Sequence, residues 1–391
     1  MPTNVRTLFF AQAFAMCATP LMIFSAALAT HDFAPSPQWT TLPVAVLVIG
    51  MACSVYPAAH LAARWGRKRL FLTAMFSGAV FSLVAMWAVM QASFGLFVFA
   101  SAGLGSVGAV SQQFRFAAME SVEPQQRPVA ASRILVAGLI SAWLGPELVI
   151  FGQYWFSGVF EGAFALLGGL FLLALLILLA GYRNSRSPQG KAESHSGSIS
   201  ALIKRKGFLV AAFSGAVAYC VMGLIMTATP TSMSHINEFS LAETKWVIQS
   251  HIMAMFVPSL FAGWLVQRLG HKRMIIIGLA AYLICVVLGV IDQSFMHYWW
   301  ALVLLGVGWN FLFVAGTSLL PEVHSESETA KAQGLNDFMI FGCQSVAALT
   351  SGLLLHAIGW VGLLLVTVPV CLAMLGLVMS WNQKISETEL A

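Results

Sequence analysis

Arg64-Trp65-Gly66-Arg67-Lys68-Arg69 interrupts a long apolar run, and 204 positions later the pattern returns as Arg268-Leu269-Gly270-His271-Lys272-Arg273. A basic turn that recurs at about half the length of the chain marks two related halves, each with a charged corner in the same place. A second repeat agrees with the first. Gly103-Leu104-Gly105 matches Gly306-Val307-Gly308 at an offset of 203.

Charged residues make up 9% of the 391 positions and hydrophobic ones 59%, against roughly 25% and 45–50% in a soluble globular chain. Such a chain is a polytopic membrane protein. About 20 apolar residues cross the hydrocarbon as a helix, and twelve such stretches are legible, near 7–30, 40–63, 70–90, 95–119, 130–152, 158–181, 207–231, 245–267, 274–291, 298–321, 335–356 and 361–381. Residues 70–114 and 338–383 hold no Asp, Glu, Lys or Arg. As single helices rising 1.5 Å per residue they would be about twice too long, so each must fold back. Gln91-Ala92-Ser93 and His356 to Trp360 are the expected turns.

With the amino terminus inside, 18 of the 20 Lys and Arg fall on or beside cytoplasmic segments, leaving Arg115 and Lys245. The positive-inside bias therefore predicts both termini on the cytoplasmic side. The formal charge of +5 is a topological signal, and no nucleic-acid partner is needed to explain it. The six cysteines all lie inside predicted spans, with no disulfide or zinc spacing. No metal or other cofactor is expected. The first apolar run lacks a small-residue cleavage pattern and reads as a retained span. Residues 183–206, rich in Ser, Gly and basic residues, read as a cytoplasmic linker between six-helix halves at 1–182 and 207–391.

Ala59 to Lys68 and Gly263 to Lys272 resemble the loop motif of the major facilitator superfamily, Gly-x-x-x-Asp-Arg-x-Gly-Arg-Arg. Arg64 and Gly66 match in the first copy, Arg268 and Gly270 in the second, but Ala63 and Gln267 stand where the family has its acid. Ser141 to Pro146 is similar to the Gly-x-x-x-Gly-Pro motif of span five in that family's antiporters, lacking its first glycine. The resemblance implies an all-α membrane fold of twelve helices in two six-helix halves. It further implies that spans three, six, nine and twelve lie outermost.

The polar residues agree with that placement, since those four spans carry none at depth. Polar groups in hydrocarbon are costly and mark cavities or partners. Candidate cavity residues are Gln12, Gln112, Gln249, His251, Trp309, Asn310 and Gln344. Helical spacing groups Gln12, Met16 and Thr19 on one stripe, Asn310, Phe313, Val314 and Thr317 on another, and Asp337, Gln344 and Ser351 on a third. Trp143, Tyr219, Met222, Met226, Trp246 and Trp309 offer an aromatic and Met-rich lining, or ordinary helix packing.

Glu147, His251 and Asp337 are the candidates for carrying a coupled proton. Glu147 follows Gly145-Pro146 and could instead cap a Pro-broken turn; His251 could instead be a hydrogen-bonded packing residue. Arg64, Gly66, Arg67, Arg115, Arg268, Gly270, Lys272 and Asp337 are the candidate gate residues. Arg115 and Asp337 are expected to pair across the inner gate, with Glu120 as the competing partner for Arg115.

The sequence thus predicts secondary active transport of a small organic solute by alternating access, coupled to protons and directed outward. The expected setting is a bacterial inner membrane, with the lipid bilayer as partner and the chain as a monomer. An uncoupled or uptake facilitator and a non-transporting sensor are the alternatives. No catalytic motif points to an enzyme.

Overall fold

With water excluded, every backbone N–H and C=O must find its partner inside the chain, and the helix does this within one segment. The computed structural model describes residues 2–123, 126–156, 158–183, 199–325 and 328–381, and it is all-helical over them. It divides into two compact units, Met1–Gln189 and Gly190–Ala391. Nine helices are long and apolar enough to cross a membrane, or ten if a bent pair counts as one span, among the described residues.

The first unit contains α1 (Thr3–Ala15), α2 (Ala18–Ala29), α3 (Leu42–Trp65), α4 (Arg67–Met90), α5 (Phe94–Ser111), α6 (Phe114–Glu120), α7 (Arg127–Gly152) and α8 (Glu161–Gly181). The Gln91–Ser93 turn falls where the charge-free run had to fold back. There Ala92 takes φ 48°, and the Ser93 N–H reaches back to the Ala88 carbonyl at 2.8 Å. This is a Schellman closure with alanine at the left-handed position that usually favours glycine.

The second unit contains α9 (Ile199–Lys204), α10 (Lys206–Thr231), α11 (Leu241–Phe256), α12 (Ser259–Leu269), α13 (His271–Ile291), α14 (Phe295–Leu319) and α15 (Thr329–Ser380). Most of the apolar window of the span running from Lys206 to Ile236 is buried, and its helix α10 packs against α14 and α15. Helix α15 turns at Gly359, with φ 69°, inside the 356–360 segment expected to fold back. Of the expected linker at 183–206, residues 184–198 lie outside the described residues, and residues 199–204 are helical.

The repeated basic segment is less of a loop than its charge suggests. Only one residue of each copy leaves the helix: Gly66 at φ 81°, ψ 150° and Gly270 at φ 79°, ψ 158°. The Gly66 N–H closes α3 on the Ala62 carbonyl at 3.1 Å, while its own carbonyl opens α4 by accepting from Leu70 at 3.3 Å. Gly270 does the same, donating to Val266 at 2.8 Å and accepting from Met274 at 3.2 Å. A left-handed joint of one residue requires glycine.

The glycine pairs of α5 and α14 are a repeat in composition but not in orientation. A Cβ on Gly105 would overlap the Leu47 carbonyl of α3, and one on Gly306 would lie 2.5 Å from the His251 carbonyl of α11. Gly103 faces Phe81 of α4, and Gly308 faces Tyr282 of α13. The offset of 203 therefore pairs glycines of opposite role, because residues two apart lie on opposite faces of a helix.

Candidate functional site

The aromatic and polar residues of the second unit gather where α10, α11 and α14 meet. Trp309 stacks on Phe313 one turn further along α14, with centroids 5.0 Å apart and planes 16° from parallel. Tyr219 of α10 meets both rings edge-on at 5.2 and 5.5 Å, and Phe256 of α11 lies 6.3 Å from Trp309. Tyr219, Phe256 and Phe313 are half-buried, whereas Trp309 is 5% exposed and its Nε1 has no hydrogen-bond partner. Buried indole donors normally find an acceptor.

Beside this cluster one apolar segment is broken. Helices α11 and α12 meet at a 46° bend, and Pro258 has no N–H to continue the ladder. Asn310 of α14 holds the break from both sides, its Nδ2 donating to the Met255 carbonyl at 2.7 Å and to the Ser259 hydroxyl. Its Oδ1 is buried without a partner. His251 is fully buried; its Nδ1–H donates to the Leu302 carbonyl at 2.8 Å, which leaves Nε2 an unpartnered acceptor. Gln249 is buried on the same helix.

Other expected lining residues are dispersed. Met222 and Met226 are buried in α10, while Trp143 and Trp246 are half exposed on the outside of their units. Gln344 is half-buried and packs at Gly223 of α10; Ser351, also on that stripe, donates to the Leu224 carbonyl at 2.8 Å. That face of α15 is thus largely spent on helix packing. Asp337 is exposed.

In the first unit, Gln12 is buried with an unpartnered Oε1, and Met16 and Thr19 beyond it are half-buried. Gln112 is exposed. Glu147 is 8% exposed, and Pro146 does not break its helix, since α7 continues to Gly152. The capping role for Glu147 at a Pro-broken turn is therefore replaced by a place inside a continuous helix. Gly145 is explained by packing, because a Cβ there would lie 2.6 Å from Pro20.

The corners carry ionic chemistry that sequence spacing did not reveal. Arg67, not Arg115, takes Glu120, through Nε to Oε2 at 2.7 Å and Nη2 to Oε1 at 2.5 Å. Glu120 thereby supplies the anion missing at Ala63. Arg115 instead lies over the Phe116 ring at 5.0 Å. Arg64 and Arg268 are exposed, and Arg268 covers Trp264 at 4.9 Å. Lys68 donates to the Leu179 carbonyl at 3.2 Å, and Lys272, 204 positions on, donates to the Trp381 carbonyl at 2.9 Å. Each lysine neutralises the carboxyl end of the last helix of its unit, where the helix dipole favours a cation. Those helices end alike, on buried Tyr182 at φ −86°, ψ 128° and buried Trp381 at φ −86°, ψ 130°.

Arg205 and Glu328 form a further two-pronged pair at 2.7 and 3.3 Å. The Arg205 guanidinium, helped by the Ser325 N–H, holds the Glu328 carboxyl down at about 2. A depressed carboxyl adds stability that is present above its ordinary value and lost as pH falls towards the folded one. The melting temperature of the purified protein should therefore fall between about pH 4.5 and 2. Arg205→Ala should lower stability at pH 6 and flatten the Glu328 contribution to that slope; an unchanged slope would remove the pair from the account.

Two units with matching corners, helix ends and glycine joints describe a duplicated helical membrane fold. The Major Facilitator Superfamily model matches residues 8–219 and 211–388. The chain belongs to the major facilitator superfamily. Among its relatives, the riboflavin transporter RfnT of Brucella anthropi is 32% identical over 362 residues, covering 91% of this chain and 90% of the relative. The uncharacterized MFS-type transporter YddS of Bacillus subtilis is 30% identical, over 86% of this chain and 81% of its own. The solved nucleoside transporter NupG aligns with a TM-score of 0.71 over 98% of this chain and 100% of its own, at 12% identity. That likeness bears on the fold alone. This chain is a transporter and not an enzyme, and it is an integral membrane protein.

Proposed function

We propose that this transporter carries a flat heteroaromatic solute of the riboflavin class across a bacterial inner membrane by alternating access, with protons as the coupling ion. The observation that carries the substrate class is the Trp309–Phe313–Tyr219–Phe256 cluster with its unpartnered indole N–H. Such a cluster offers ring faces for stacking and one donor for a ring carbonyl. The 32% identity to a riboflavin transporter supports the same class.

Twelve spans result when the bent α11–α12 pair is counted as one span, α15 is divided at Gly359 and α7 is counted, and the positive-inside bias then favours both ends in the cytoplasm. The halves 1–182 and 207–391 would rock about a site near the midplane. His251, with an acceptor nitrogen in the interior, and Glu147 are the proton candidates. The span-five motif argues weakly for efflux, since packing against Pro20 already accounts for Gly145.

Reconstitution into proteoliposomes with riboflavin inside or outside tests this reading directly. Flux driven by an imposed proton gradient supports it and reads the direction. Flux indifferent to that gradient would make the protein an uncoupled facilitator. Binding without flux would make it a sensor, and neither binding nor flux would remove the flavin class.

A further inference from the structure

The two corners are built to one plan but differ at one charged position. In the first unit the residue after the joint glycine is Arg67, which grips Glu120 at the end of α6. In the second unit the residue after Gly270 is His271, and Glu322 stands beyond the end of α14 in the corresponding place. The joint dihedrals agree within 8°, and Lys68 and Lys272 do the same work. Arginine is always charged. Histidine changes charge between pH 5 and 8.

We propose that His271 is a proton-binding site that latches the α12–α13 corner, gripping Glu322 when protonated and releasing it when neutral. His271 is 6% exposed, and neither ring nitrogen has a hydrogen-bond partner. Its Nε2 lies 3.7 Å from Glu322 Oε1, beyond hydrogen-bond reach. A buried imidazole with two unfilled nitrogens is costly. A proton on the ring together with a small turn of Glu322, whose side chain is 56% exposed, closes the contact.

The elements packed around the corner bring further charges. Arg268 on α12 is held over Trp264, and Lys272 on α13 is bound to the end of α15. Arg273 on α13 is exposed, and α15 brings Lys331 and Asp337. His324, just past Glu322, has its Nδ1 on the Ser325 carbonyl. Glu328 is engaged by Arg205, and Glu322 is a carboxylate 3.7 Å from His271. The inference stands whether or not the solute is a flavin.

Imidazole NMR titration of the purified full-length protein from pH 5 to 8, assigned with His271→Gln, reads the proton directly. Glu322→Gln should lower the His271 midpoint relative to wild type, and His324→Gln should leave it in place. His271→Arg should hold hydrogen-exchange protection of the 268–274 amides, corrected for intrinsic rate, at its acid value throughout. An unchanged midpoint in Glu322→Gln, or wild-type pH dependence in His271→Arg, overturns the proposal. Should His271→Arg not fold, the Glu322→Gln titration still decides.

Discussion

Gly105→Leu is expected to leave no folded transporter that survives extraction from the membrane. A Cβ at this position would overlap the Leu47 carbonyl oxygen and press on the backbone nitrogen of Met51. Both obstacles are backbone of α3, so no rotamer change relieves them, and α3 and α5 must part along their contact. Overpacking in ordinary cores costs about 1–3 kcal/mol, and a backbone obstacle places leucine above that range. Against a total stability of about 5–15 kcal/mol, that loss takes most of the margin at the lower end of the range. Gly105→Ala already carries the obstructed Cβ and should cost about 3 kcal/mol, the top of the overpacking range. Gly169→Ala, which meets nothing within 4 Å, should instead gain about 0.5–1 kcal/mol. Melting in detergent followed by size-exclusion profile ranks the three. Equal profiles for Gly105→Leu and Gly169→Ala would refute the contact.

Trp309→Ala is expected to raise the KM for riboflavin about thirtyfold in the fraction that folds, with a stability loss of about 3–5 kcal/mol for the buried ring. Interface tryptophans that act as anchors contribute about 2 kcal/mol or more, and each 1.4 kcal/mol is tenfold in affinity. The alanine variant loses the face stacked on Phe313, the edge contacts with Tyr219 and the unpartnered Nε1 donor. Trp309→Phe separates these contributions, because it keeps a ring at the stacking position and discards the donor. Its KM should rise about three- to tenfold, the share of a neutral hydrogen bond of about 1 kcal/mol. A KM unchanged in both variants, with flux intact, would show that the cluster is packing and that the solute binds elsewhere.

The fold was legible where sequence and geometry are tied by a hard constraint. A one-residue helix joint at φ near 80° admits glycine and little else, so Gly66 and Gly270 advertised the duplication. Runs without charge that exceed the bilayer must fold back, and Ala92 and Gly359 mark the places. Contacts between distant residues were not legible. Nothing in the spacing couples Arg67 to Glu120 across 53 positions, nor Lys272 to Trp381 across 109.

The candidate site divided in the same way. Trp309 and Tyr219 were legible as aromatic residues on spans expected to line a cavity, but Phe256 joins them only because α11 ends there. Asn310 was read as a cavity group, and its amide nitrogen instead staples a broken helix, leaving only Oδ1 unfilled. The helix ends at Tyr182 and Trp381 share conformation without sharing identity, so no residue match could expose them.

The glycine joints also govern how motion passes through each unit. Since one residue both ends a helix and starts the next, no slack chain is present to absorb rotation. A twist of α3 about its axis must reappear as a swing of α4, and α12 is geared to α13 in the same manner. Each corner works as an elbow with its pin fixed, and the last helix of the unit, tethered to the elbow by Lys68 or Lys272, is dragged along. Three helix ends therefore move in each unit as one crank.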